Sequence, residues 1–219
     1  MNYTSVLYTK SKINELRYIM TTPSGFDPSK ESLPMIVFLH GAGERGDDLE
    51  LVKVHGIPKY FCADNDYRGL RVITLSPQCP ADRVWNHMPD QIMDLIEHVA
   101  SDMNVDKKRI TLTGISMGGY GTWEMACMYP DYFAAVAPIC GGGMVWRAGA
   151  LTKLPIRAFH GTDDFCVPYN ASVEMVEAVK HLSGNVNVTL TSYDNVGHDS
   201  WTSAYEKSDL IEWLAAAEK

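Results

Sequence analysis

Residues 113–123 read TGISMGGYGTW, and the fold turns on whether Ser116 there is held out on a tight turn or merely sits in a glycine-rich loop. Upstream, KRITLTG (108–114) alternates polar with apolar and β-branched residues, the pattern of a strand. Downstream, Tyr120 to Tyr129 is helix material that stops at Pro130. Between them Gly114, Ser116, Gly118 and Gly119 spell G-x-S-x-G-G. A strand that turns sharply into a helix at a serine needs glycines on both sides, because the backbone crowds itself and a Cβ would clash. Such a turn strains the serine and exposes its hydroxyl, which makes Ser116 a candidate nucleophile.

Working outward, strands and helices alternate. Two opening strands are expected around Ser5–Thr9 and Glu15–Thr21, followed by LPMIVFLHGAG, whose unbroken run Met35–Leu39 suits a strand buried on both faces. LRVITLSP (70–77) is the next strand. Ile92, Leu95, Ile96, Val99 and Met103 fall at helical spacing over 90–103, with Pro89 near the start. Further strands are FAAVAPIC (133–140), LPIRAFHG (154–161) and NVTLTSY (187–193). Helix 170–183 presents Met175, Ala178, Val179 and Leu182 on one face, and a helix over 203–217 closes the chain. This order predicts an α/β fold with a mostly parallel central sheet covered by helices on both sides. With no repeat, linker or low-complexity tract, residues 1–219 read as one domain.

Composition narrows the function classes. The chain has 219 residues, 46% of them apolar, and a net charge of −8 without a Lys/Arg cluster. That balance argues against a nucleic-acid surface and against binding to acidic membranes. No stretch approaches a membrane span, and MNYTSVLYTKSKINE lacks the apolar core of a signal peptide, so a cytoplasmic chain is expected. The cysteines 62, 79, 127, 140 and 166 are odd in number and scattered; they read as mostly reduced, with a Cys62–Cys79 bridge the alternative. Sequons at Asn2, Asn170 and Asn187 carry meaning only after secretion. Dispersed histidines without H-E-x-x-H imply no metal site.

In open sheets of this kind ligands bind beyond the carboxyl ends of the strands. There the sequence places HGAGERGDD after Leu39, Ser116 after RITLTG, HGTDDFCVP after LPIRAF, and DNVGHDSW after NVTLTSY. A serine hydroxyl needs a neighbouring base, and His198 in VGHDSW is the candidate. The imidazole in turn needs an acid to fix its tautomer. Asp163 and Asp164 both follow a strand, Asp194 is weaker, and spacing does not choose among them. The attacked carbonyl needs donors for its developing charge, expected from the backbone N–H groups of Met117 and Ala42.

HGAGERGDD, GISMGG, HGTDDFCVP and GHDSW, in that order, resemble the α/β-hydrolase superfamily. The resemblance is nearest to small carboxylesterases of the phospholipase/carboxylesterase and dienelactone-hydrolase-like group, with the related feruloyl esterases. It covers most of the chain from the third strand onward. It implies the α/β-hydrolase fold, with Ser116 as nucleophile, His198 as base, and Ala42 with Met117 as oxyanion donors. The family pattern H-G-x-x-D-x-x-V-P maps onto His160, Gly161, Asp164, Val167 and Pro168, which implies Asp164 as the acid. His40 and His160 belong to loop architecture. PQCPADRVW (77–85) resembles a loop at the pocket rim, so Trp85 either faces substrate or packs in the core. Trp201 has the same ambiguity, and Trp146 is placed at the pocket's edge; these three are the candidate substrate-binding residues. The run after Gly141 is too brief for a large lid domain. Glu44, Arg45 and Asp47 are expected to tie down the oxyanion loop by pairing their charges.

The expected activity is hydrolysis of small-molecule carboxylic esters (short-chain acyl, aryl or hydroxycinnamoyl) through an acyl-enzyme on Ser116, without a cofactor. The alternatives are a lysophospholipase or acyl thioesterase, a serine peptidase, and a non-catalytic binding module on the same fold. The oligomeric state does not follow from the sequence.

Overall fold

A computed structural model describes residues 3–9, 15–185 and 187–219; the Asn2 sequon lies outside them. Eight strands form one sheet: β1 (Thr4–Thr9), β2 (Glu15–Thr21), β3 (Leu33–Leu39), β4 (Ile73–Gln78), β5 (Val105–Ile115), β6 (Ala135–Ile139), β7 (Ile156–Gly161) and β8 (Val188–Tyr193). Their spatial order is β1-β2-β4-β3-β5-β6-β7-β8. β1 and β2 pair antiparallel, β2 meets β4 antiparallel, and every later pairing is parallel. The helices are α1 (Gly56–Phe61), α2 (Pro89–Asp102), α3 (Met117–Met128), α4 (Asn170–Ala178), α5 (Trp201–Lys207) and α6 (Leu210–Ala216). This is the mostly parallel, doubly covered sheet that the sequence predicts.

The two-residue period of a strand distributes β3 between two cores. Met35, Val37 and Leu39 face one side, where Ile92, Leu95, Ile96 and Val99 of α2 pack with Trp123 of α3 and Met175 of α4. Ile36 and Phe38 face the other, against Ile57 and Phe61 of α1, Tyr205 of α5, and Leu210, Ile211 and Leu214 of α6. All seven β3 residues are buried, which is why the run Met35–Leu39 shows no polar alternation. Full burial of each such side chain stabilises the fold by roughly 1.5–3 kcal/mol.

Two helix expectations need correction. After α4 the chain widens into a π-helical turn over Val179–Ser183, ended by Gly184 in the left-handed region. The wider turn changes the phase of the side chains, so Met175 and Val179 stay buried while Leu182 is 52% exposed. The closing helix is broken in two, because Ser208 is extended (φ −123°, ψ 176°). Its hydroxyl donates to the Ala204 carbonyl at 2.6 Å and accepts the Leu210 N–H at 3.1 Å, competing with the helical ladder there.

All five cysteines are unpaired, Cys62 and Cys79 included. No helix among the described residues is long and apolar enough to cross a membrane. Between β6 and β7 the chain forms only a short 3-10 segment, Val145–Ala150, so no lid domain is inserted there.

Candidate active site

The site is built where β3, β5, β7 and β8 end. Ser116 follows β5 and caps α3 with φ 53° and ψ −116°, a conformation that costs a non-glycine residue roughly 1–3 kcal/mol. Packing holds it there. A Cβ on Gly118 would stand 1.9 Å from the Leu39 carbonyl oxygen, and one on Gly114 would stand 2.4 Å from the Gly118 oxygen. Only glycines let the first turn of α3 lie this close to the end of β3. The Ser116 N–H is tied to the Ile139 carbonyl at 2.9 Å, so the side chain is carried by backbone fixed on two neighbouring strands.

His198 sits on the loop between β8 and α5. That loop is pinned to the one after β7: Thr162 N–H donates to the Tyr193 carbonyl and Asp163 N–H to the Val196 carbonyl, both at 3.0 Å. The pinning brings His198 Nε2 to 2.9 Å from Ser116 Oγ and His198 Nδ1 to 2.7 Å from Asp164 Oδ2. With a carboxylate facing Nδ1, the proton belongs on Nδ1 and the Nε2 lone pair faces the serine.

Of the three candidate acids, Asp164 is the one that faces His198. Its side chain is fully buried beneath His198, whereas Asp163 and Asp194 are exposed. Four donors converge on its carboxylate. Cys166 N–H and Val167 N–H reach Oδ1 at 2.8 and 2.9 Å; His198 and His160 reach Oδ2 at 2.7 and 3.1 Å. Burial alone would raise this carboxyl, but the bonds from His198, Val167 and Cys166 outweigh it and hold Asp164 below the usual carboxylate value.

His160, read from sequence as loop architecture, supports that carboxylate directly. Burial pushes its imidazole down, favouring the neutral ring. Two acceptors face Nε2, Asp164 Oδ2 and the Val167 carbonyl, each at 3.1 Å, so the single proton belongs there. Nδ1 lies 2.7 Å from the Ser172 hydroxyl, which donates to the Gly141 carbonyl at 2.8 Å.

Met117 opens α3, and Ala42 opens a 3-10 turn over Ala42–Glu44. The first N–H groups of a helical segment have no partner within it, so the Ala42 and Met117 N–H groups are both free of bonds inside their own segments. The loop carrying Ala42 is anchored by His40: Nδ1–H donates to the Gly41 carbonyl at 2.6 Å, and Nε2 accepts the Cys79 N–H at 2.9 Å. Glu44, Arg45 and Asp47 do not pair with one another. Arg45 instead donates to the Ala42 and Arg83 carbonyls, the Asp47 carbonyl accepts from Arg17, and Glu44 lies between His40 and His55. The Ala42 carbonyl of this loop and the Arg83 carbonyl of the loop before Trp85 lie within reach of the guanidinium, so backbone acceptors replace the expected charge pairing.

The resulting cleft measures about 340 Å³ and is lined by Gly41, Ala42, Glu44, His55, Ser116, Cys166, His198 and Trp201, among others. Of the three tryptophans, Trp201 alone lines it, edge-on to His198 with ring centroids 5.3 Å apart. Trp85 is a core residue, not a pocket residue: it is fully buried and donates Nε1–H to the His40 carbonyl at 2.9 Å. Trp146 is 74% exposed on the 3-10 segment after β6 and is not part of the cleft wall. Brevity of that segment keeps it packed against α4 instead of reaching over Ser116. His55 and Cys166 line the cleft without having been singled out from sequence. Cys166 lies within the HGTDDFCVP stretch, two residues beyond Asp164, whereas nothing in the spacing marks His55.

Cys140, Asp164 and His198 bring potential ligand atoms within 4.8 Å of one another. They are a poor metal set. Burial pushes the Cys140 thiol up to about 12, whereas a metal needs the thiolate, and the Asp164 oxygens already accept four hydrogen bonds.

A Probable feruloyl esterase C of Aspergillus terreus is 28% identical over 174 residues, covering 78% of this chain and 63% of that protein. A second, from Aspergillus niger, is 25% identical over 208 residues, 93% of this chain and 76% of that one. The chain thus spans a little under two thirds of the first relative. Among solved structures, a thermostable esterase superposes with a TM-score of 0.84 at 30% identity, covering all of this chain and 64% of that one. The feruloyl esterase module from Clostridium thermocellum, complexed with sinapinate, superposes with a TM-score of 0.77 at 17% identity, covering 100% of this chain and 90% of that one. These superpositions identify the α/β-hydrolase fold. Residues 77–217 match the Dienelactone hydrolase family, from the end of β4 through α6, and the chain belongs to that family.

Proposed function

We propose that this protein is a serine carboxylesterase, a single α/β-hydrolase unit over residues 1–219 acting on small-molecule carboxylic esters. The observation that carries this reading is the unbroken hydrogen-bonded line Asp164–His198–Ser116. Ser116 Oγ attacks the ester carbonyl while its proton passes to His198 Nε2. Asp164 holds the tautomer that makes Nε2 a base and stabilises the imidazolium that forms. The N–H groups of Ala42 and Met117 stabilise the developing oxyanion; a donor of this kind contributes about 10²–10³ in kcat. His198 then gives its proton to the departing alkoxide, leaving an acyl-enzyme. Water, deprotonated by the same imidazole, attacks the acyl carbonyl and releases the acid.

A cleft of about 340 Å³ lies at the small end of ligand sites, which favours short-chain acyl, aryl and hydroxycinnamoyl esters over long acyl chains. The feruloyl esterase relatives make hydroxycinnamoyl esters the first aryl substrates to try. Five unpaired thiols favour a reducing compartment such as the cytoplasm.

The test is hydrolysis of a p-nitrophenyl ester ladder from acetate to palmitate, with methyl ferulate alongside. We expect turnover of the short or feruloyl esters, and a fall in kcat of about 10⁴-fold or more in Ser116→Ala with the melting curve retained. Activity confined to long chains, or an alanine variant as active as wild type, overturns the reading.

A further inference from the structure

The cleft holds one acidic side chain that the proposed mechanism does not use. Glu44 closes the 3-10 turn begun by Ala42 and lines the cleft together with Ser116 and His198. The position a Cβ would take on Gly41 lies 3.1 Å from Glu44 Oε2 and 3.7 Å from Ser116 Cβ. Carboxylate and nucleophile therefore flank the same glycine.

Among the described residues, none cancels the Glu44 charge through a direct bond. Its nearest basic neighbours are imidazoles, His40 Nδ1 at 3.8 Å and His55 Nε2 at 4.0 Å, both beyond hydrogen-bond length. Burial pushes His40 down to about 4, so that ring is neutral near pH 7, and its N–H is directed at the Gly41 carbonyl. Glu44 Oε2 is buried without a hydrogen-bond partner among the described residues. Arg45, the adjacent cation, turns its guanidinium to the carbonyls of Ala42 and Arg83 and is not part of the cleft wall. Asp164, beneath His198, adds a second negative group. No lysine or arginine lines the cleft among the described residues.

We propose that Glu44 makes this site select substrates by charge, accepting uncharged esters and rejecting those that carry a carboxylate near the scissile bond. The inference rests on the carboxylesterase reading. A substrate carboxylate entering a cleft this small approaches Glu44 in a partly water-excluded space, where like charges repel far more strongly than in bulk water. The oxyanion forming at Ala42 and Met117 is balanced by the imidazolium formed with it on His198, so Glu44 remains the unpaired charge in the cleft. Neutral esters of the same shape meet none of this repulsion.

The test uses two matched pairs of esters. Methyl 4-acetoxybenzoate and 4-acetoxybenzoate differ by a charge on the alcohol side. The p-nitrophenyl esters of methyl adipate and of hydrogen adipate differ by a charge on the acyl side. For each pair the ratio of kcat/KM, neutral over anionic, is measured at pH 8 for wild type, Glu44→Gln and Glu44→Asp. Comparing enzymes on one pair cancels the intrinsic reactivity of the two esters. We expect Glu44→Gln to lower the ratio by about tenfold in at least one pair, and Glu44→Asp, which keeps the charge, to leave it within about threefold of wild type. In wild type, raising the salt from 20 to 500 mM should lower the same ratio severalfold; this arm needs no variant, so it stands if Glu44→Gln fails to fold. Ratios unchanged by both substitution and salt overturn the proposal. No hydrolysis of the neutral esters by wild type defeats the carboxylesterase reading itself, and the charge selection with it.

Discussion

The two sides of the cleft are held by different forces. On the serine side, backbone packs on backbone: Gly114, Gly118 and Gly119 each have a carbonyl oxygen within 2.4 Å of where a Cβ would sit. On the side carrying Ala42–Glu44 and His55 there is room at Gly43 and around the His55 side chain. A Cβ on Gly43 would meet nothing within 4 Å, and the His55 side chain is 34% exposed. The turn that carries Ser116 thus resides where no atom can be added. The groups that would sort substrates stand where side chains can change without disturbing the sheet.

The sharpest way to break this contrast is Gly118→Ala. Its new methyl group would collide with backbone, which has no rotamer to yield, so we expect destabilisation by about 3 kcal/mol or more. Urea denaturation measures it, and a midpoint equal to wild type would show the turn to have slack after all.

A smaller effect should come from pH, through the buried anchor of the Ala42 loop. His40 is pushed by burial to about 4 from an ordinary 6.5. Between those values the unfolded chain binds a proton that the folded chain does not, so stability falls as pH drops through this window. From pH 7 to pH 5 this group alone should remove about 2 kcal/mol. Comparing urea midpoints for wild type and His40→Gln at both values isolates it. An equal pH slope in the two proteins would mean that burial does not lower the His40 imidazole below its unfolded value.

The least effect is expected at Gly43→Ala, within about 0.5 kcal/mol of wild type. A loss as large as that at Gly118 would erase the distinction between the two sides.

Much of the site was legible because its chemistry is local. Ser116 needs glycines at fixed offsets, and His198 and Asp164 each follow a strand, so short motifs carry them. Other features depend on phase or packing. The π-helical turn that exposes Leu182 leaves no mark in a 3.6-residue pattern. Ser208 breaks the last helix through its own hydroxyl, a choice that an isolated serine does not announce. Trp85 and Trp201 both stand near reactive motifs, yet one donates into the core and the other edges the cleft. No local rule separates them.

The sequence by itself determined the alternating fold, the serine turn and the chain order of the three side chains that hydrogen-bond in line. Those follow from steric and periodic constraints between residues close along the chain. The tertiary structure set Asp164, which spacing did not separate from Asp163 and only the family pattern marked, against His198, and it alone brought His160 onto that carboxylate and set Glu44 and His55 beside Ser116. Each of those outcomes depends on which loops the parallel sheet brings together at its carboxyl edge, a long-range packing result with no counterpart in neighbouring residues.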